Sequence, residues 1–215
     1  MDDAKPVART NKFGDNRWID LHELFVAEAK DKEADVLFIG DDHIALLEQS
    51  EIFKELFAPL HCLCFGALGD RTSNLLWRIE NGELDNITPK VIVVSIGGFN
   101  YGSSSAEILS AIHTIAQLIS AKQPSANIFV MKLLPCGKMP NPWRDTAREV
   151  NDGLEATLST LSNVKAIDSD PSLVGSDGSV DHHDMFDFAH LTQLGYRKTF
   201  EMVHVAVTGA LNPEQ

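Results

Sequence analysis

Five short, near-continuous apolar runs, at residues 36–39, 60–65, 91–96, 128–131 and 164–167, are spaced along the chain with helix-patterned stretches between them. They are rich in Val, Ile, Leu and Phe, and Gly, Asp or Pro follows each within a few residues. Such runs suit strands covered on both faces, the situation inside a parallel sheet. The clearest helix lies at residues 104–121, where Ile108, Ile112, Ile115 and Ile119 recur at i, i+4, i+7 and i+11, with Glu107 in the first turn and Pro124 beyond the end. Residues 44–57, 71–80, 141–161 and 192–208 read as further helices, the last stopping at Gly209 with Pro213 following. The alternation predicts an α/β fold, a three-layer αβα sandwich around a doubly wound, five-stranded parallel sheet. Residues 16–211 form one expected domain, with residues 1–15 and the last four or so as loosely ordered tails.

Charge excludes several classes of function. The chain carries 31 Asp and Glu against 18 Lys and Arg, a formal net charge of −13, and has no clustered cations to neutralise phosphates. Nucleic acid and anionic membrane surfaces are therefore not expected partners. No apolar run approaches the ~20 residues of a membrane span. Residues 1–6 hold no apolar stretch suited to a secretory signal, so the expected location is cytoplasmic. The three cysteines, Cys62, Cys64 and Cys136, form no even framework and read as buried thiols. Trp18, Trp77 and Trp143 read as core or interface anchors.

In a doubly wound sheet the working site lies at the carboxyl ends of the strands. The residues placed there are Gly40-Asp41-Asp42-His43, Gly66-Ala67-Leu68-Gly69-Asp70, Gly97-Gly98-Phe99-Asn100 and, before the last helix, Asp187-Phe188-Ala189-His190. Neither Gly97-Gly98 nor Gly66-x-x-Gly69 fits a nucleotide-binding loop, and no cofactor is expected.

These four places together resemble the SGNH, or GDSL-type, esterase family, and within it the α-type catalytic subunits of intracellular platelet-activating factor acetylhydrolase, type IB. The likeness extends through residues 57–61, 76–84, 89–94, 133–135, 140–142 and 183–188, and spans roughly residues 17–207. It implies the flavodoxin-like SGNH hydrolase fold. By position, the nucleophile role falls on Asp42, the two oxyanion donors on Gly69 and Phe99, the triad partners on Asp187 and His190, and the acyl-pocket wall on His43, Gly98 and Ala189. The resemblance also implies homodimers, or heterodimers with another α-type subunit, and a WD-repeat regulatory partner, the lissencephaly-linked dynein regulator. The retained stretch from Trp77 to Leu84 reads as surface kept for such partners.

Two of the implied roles have lost their chemistry. A serine hydroxyl attacks an acyl carbon once a histidine takes its proton, whereas Asp42 has no hydroxyl and would form a mixed anhydride. Loss of a serine nucleophile costs on the order of 10⁶-fold in rate. Phe99 offers no donor to an oxyanion, a loss worth ~10²–10³-fold. Asn100 follows one place later and a local shift would bring it in. Flanked by Asp42 and Asp187, His190 is expected to be held charged, as part of an ion-pair cluster. The leading expectation is a non-catalytic binding protein. The alternatives are residual esterase activity on a lipid or short-acyl substrate, attack by Asp42 on sp³ carbon, and a metal site at Asp181-His182-His183-Asp184 with Asp41 and Asp42. No metal is expected, because no spacing matches an established motif and adjacent His182 and His183 do not easily share one ion.

Overall fold

The computed structural model describes residues 3–10, 14–168 and 170–212. The apolar runs form strands β1 (Val36–Gly40), β2 (Cys62–Gly66), β3 (Val91–Ser95), β4 (Asn127–Met131) and β5 (Val164–Ile167), parallel throughout, in the order β2-β1-β3-β4-β5. Gly40 stands level with Gly66 on one side and Ser95 on the other, so the loops after β1, β2 and β3 emerge together. That register assembles the site.

The helices are α1 (Arg17–Asp31), α2 (Asp42–Ala45), α3 (Thr72–Arg78), α4 (Ser105–Lys122), α5 (Pro142–Leu158) and α6 (Gln193–Leu211). Alternate strand residues face opposite layers. Leu37, Ile39, Ile92 and Val94 pack with α1, α3, α4 and α5, while Phe38, Val91 and Val93 pack with α6 and residues 44–57. The isoleucines of α4 are all buried, and its start is closed by a reciprocal Ser104–Glu107 capping box. Among the described residues, no helix is long and apolar enough to cross a membrane.

Several expectations are corrected. Helix α1 has no counterpart in the sequence reading, although Trp18, His22, Phe25 and Ala29 form a buried stripe at i, i+4, i+7 and i+11. Residues 44–57 are not one helix: α2 is a single turn, followed by a tight turn at Leu47–Gln49 and a wide one at Phe53–Phe57. The break has a local cause. The Ser50 hydroxyl donates to the Leu47 carbonyl at 2.6 Å and accepts from the Phe53 amide at 3.2 Å, taking the place of backbone partners in a continuous helix. Helix α6 passes through Gly209 to Leu211. Of the cysteines, only Cys64 is buried; Cys62 and Cys136 are half-buried.

Residues 3–10 are held closely. The Val7 amide donates to the Ser73 carbonyl at 3.0 Å, Asn74 Nδ2 to the Val7 carbonyl at 2.9 Å, Thr72 Oγ1 to the Asp3 carbonyl at 3.1 Å, and Arg9 to the Leu68 carbonyl. The stretch from Trp77 to Leu84 is also more interior than its sequence suggests, since Arg78, Ile79, Glu83 and Leu84 are buried. Arg78 Nε donates to Asp70 at 2.8 Å and Nη1 to Glu83 at 2.5 Å. The rest of its fork donates to the Phe65 and Gly40 carbonyls, at 3.1 and 2.8 Å. Glu83 also meets His22 Nδ1 at 2.8 Å, and Asp70 accepts from Trp18 Nε1 at 2.7 Å. This stretch ties the ends of β1 and β2 beneath the site.

Candidate functional site

The site begins at Gly40, where a Cβ would lie 1.9 Å from the Ser95 carbonyl oxygen, so only glycine lets the chain turn out of β1 at this point. Asp41 follows, buried, and accepts from the His43 amide at 3.3 Å to cap α2. Burial pushes the Asp41 carboxyl up, against the opposing pull of His43. Asp42 is therefore the first residue of α2, with its carboxylate aimed across the strand ends.

That carboxylate is fully engaged. The Gly69 amide donates to Asp42 Oδ1 at 2.5 Å, and His190 Nε2 lies 3.1 Å from Oδ2. On its other side His190 Nδ1 lies 2.7 Å from Asp187 Oδ2, while Asp187 Oδ1 accepts the amides of Ala189 at 3.0 Å and His190 at 2.7 Å. The loop that presents them turns through Phe188 at φ 62°, an unusual left-handed conformation for a bulky residue.

Both ring nitrogens of His190 face carboxylate oxygens, an arrangement satisfied only when both carry hydrogen. Burial works against the charged ring, but the hydrogen bonds and charges of Asp187 and Asp42 outweigh it, and the imidazole pKa is raised above 6.5. Burial likewise tends to raise Asp187; the amides and ring donating to it prevail and hold its carboxyl below the usual range. An imidazolium has no lone pair with which to accept a proton. Because the folded pKa lies above the unfolded one, His190 contributes stability that is fully present below about pH 6.5 and is lost as pH rises through the folded value. In a heteronuclear NMR titration His190 is expected to titrate above 6.5, and Asp42→Asn is expected to lower its midpoint. An unchanged midpoint in that variant would remove Asp42 as a cause.

The remaining sequence-derived positions surround this cluster. The Phe99 ring stacks on His190 with centroids 5.3 Å apart, and the exposed Phe186 stacks on it at 5.8 Å. His43 is buried, its Nε2 donates to the Ala189 carbonyl at 3.1 Å, and its ring lies 5.3 Å from Phe99. Gly98 borders open space, since a Cβ there would meet nothing within 4 Å. The Asn100 amide is engaged away from this cluster. It is wholly buried, donating Nδ2 to Thr72 Oγ1 at 2.7 Å and accepting the Thr72 amide at 3.1 Å.

Two further features had no sequence signal, because they rest on backbone carbonyls and on contacts between elements distant in the chain, such as Arg9 with Leu68 and His22 with Glu83. The Arg9 guanidinium lies against Gly69, where a Cβ would come within 2.7 Å of both Nη atoms. Beneath the strand ends lies the Arg78 network. Of the metal reading, the structure brings together ligand atoms of Asp181, His182 and His183, within 4.8 Å of one another and exposed, so the two adjacent histidines do converge. Asp184 is apart from them, buried and bonded to Lys198 Nζ at 2.8 Å, while Asp41 and Asp42 lie at the strand ends.

A family model for GDSL-like lipases and acylhydrolases matches residues 51–198, a stretch that begins beyond Asp42. Platelet-activating factor acetylhydrolase IB subunit alpha2 of Gallus gallus is 47% identical over 214 residues, covering 99% of this chain and 93% of that protein. The alpha1 subunit of Bos taurus is 44% identical over 212 residues, covering 99% and 91%. A solved structure of a GDSL-like lipase from Bacteroides thetaiotaomicron shares the fold at a TM-score of 0.72 and 17% identity, covering 88% of this chain and 98% of its own.

Proposed function

We propose, from the premise that this chain belongs to the GDSL-like lipase/acylhydrolase family, that it is a non-catalytic, acetylhydrolase-like α subunit that works in the cytoplasm by binding other proteins. One observation carries the reading: a carboxylate occupies the nucleophile position, with one oxygen on the amide that would hold an oxyanion and the other on the histidine that would act as base. Attack, proton transfer and charge stabilisation are blocked together by one side chain. Phe99 supplies a ring where the second donor would stand.

The alpha1 and alpha2 relatives are named as subunits, and their sequences match over nearly the whole of this chain. The partners that follow are a second α-type subunit, as homodimer or heterodimer, and a WD-repeat regulator of the lissencephaly-linked type. Size-exclusion chromatography with light scattering is expected to give a dimer, and a larger complex when the purified WD-repeat regulator is added. The same protein is expected to resist labelling by a serine-directed fluorophosphonate. A monomer that binds neither partner would defeat the proposal, as would turnover of short esters at rates typical of working esterases.

A second reading draws on the same contacts. A carboxylate held by an amide on one oxygen could attack sp³ carbon, forming an ester and expelling halide, after which water assisted by His190 would cleave that ester. His190 held as imidazolium is a poor base for the second step. Halide release from a short alkyl bromide discriminates between the two readings.

A further inference from the structure

On a chain with a net charge of −13, one cavity is lined, among the described residues, by two arginines and by no acidic residue. It has a volume of about 520 Å³ and lies where the start of α1 meets the ends of α2 and edge strand β2. Trp18, Leu21, Leu46 and Leu68 provide much of its apolar wall, and Arg9 and Arg17 the polar part. A mainly apolar concavity of a few hundred Å³ with a few fixed polar groups is the usual form of a small-molecule site.

The two arginines differ. Arg17 is exposed and forked onto Asp15, with Nε 2.9 and 2.8 Å from its two oxygens. Arg9 is half-buried and donates Nη1 to the neutral carbonyl of Leu68, on the loop that also carries Gly69. A partly desolvated guanidinium bonded to a carbonyl gains further from an anion, because charge-assisted bonds to carboxylate or phosphate are about twice as strong as neutral ones. Trp18 is held rigidly by Asp70, so that wall is fixed before any ligand arrives.

We infer that this cavity binds a single-chain amphiphile with an anionic head, the head on Arg9 and the chain along Leu21, Leu46 and Leu68. The site is separate from the Asp42–His190 cluster and does not depend on whether that cluster is catalytic. Because Arg9 rests on Gly69, an occupied head site would also hold in place the loop whose amide binds Asp42.

Isothermal titration of the full chain below the micelle threshold tests the inference, using dodecanoate, dodecyl phosphate, dodecanol and dodecyltrimethylammonium. Both anions are expected to bind, at least about tenfold more tightly than the alcohol or the cation. Tighter binding of dodecyl phosphate would assign a phosphate head, and tighter binding of dodecanoate a fatty-acid head. Arg9→Gln is expected to cost about tenfold for the anions and little for dodecanol, Arg9→Lys to recover part of that loss, and Leu46→Trp to abolish binding by filling the cavity. Melting temperatures of the variants check that the fold is kept. Equal binding of anion and cation, or anion binding unchanged by Arg9→Gln or by Leu46→Trp, would overturn the inference.

Discussion

Made together, Asp42→Ser and Phe99→Asn are expected to raise hydrolysis of p-nitrophenyl acetate by at least about 10³-fold over the natural chain, with fluorophosphonate labelling of the new serine. Three changes follow from the first substitution. The hydroxyl supplies a nucleophile, the Gly69 amide is released from Oδ1, and His190 loses one of the two carboxylates that keep it charged. Asp187 remains bonded to Nδ1 at 2.7 Å, so the ring keeps its orientation while its Nε2 becomes free to accept a proton. The second substitution removes the ring stacked on His190 and introduces an amide donor. His43 stays buried against the Ala189 carbonyl, and with these two at the proposed acyl wall the gain is expected to be greatest for acetyl esters and to fall with longer chains. A folded double variant whose His190 titrates normally, yet which neither labels nor turns over, would show that the deficit lies elsewhere in the site.

Loss of Arg78 is expected to have the largest effect on stability. The guanidinium is wholly buried and serves Asp70, Glu83 and the carbonyls of Phe65 and Gly40. Arg78→Ala would leave two buried carboxylates without their cation, and breaking such a pair costs about 3–5 kcal/mol. Arg78→Lys keeps the charge but not the planar fork and should fall between. Urea unfolding midpoints measure both, with Arg17→Ala as the exposed comparison, expected to move the midpoint little. If Arg78→Ala gives no soluble protein, the Arg78→Lys midpoint still tests the claim. Equal losses for Arg17→Ala and either Arg78 variant would deny the buried network its structural role.

Legibility tracked how local each cause is. The sheet could be read because its strands are near-continuous apolar runs, and α4 because its isoleucines repeat without interruption. Helix α1 has no such run although its buried stripe is regular, since Asp20, His22, Glu23 and Glu28 interrupt its apolar residues and no side-chain capping hydrogen bond marks its start. The stretch at residues 44–57 was misread because a single hydroxyl, on Ser50, redirects the backbone. The positions of Asp42, Gly69, Asp187 and His190 were legible through family likeness and meet in one cluster. The engagement of Asn100 by Thr72 was not, because it pairs residues 28 positions apart. The reading of Trp77 to Leu84 as partner surface failed for a related reason: sequence retention does not tell an interior ion pair from an exposed contact, and Arg78 and Glu83 are interior.

An ester cleaved in a working site leaves an acid behind, briefly lodged between the amide and the imidazolium before it escapes. In this chain the Asp42 carboxylate makes the same two contacts, joined to the backbone and unable to diffuse away. On the non-catalytic reading proposed above, the molecule would rest in a state equivalent to a site with its product acid still bound. On that reading the exposed side chains of Phe186, Tyr101 and Leu68 would offer an incoming protein one unchanging relief.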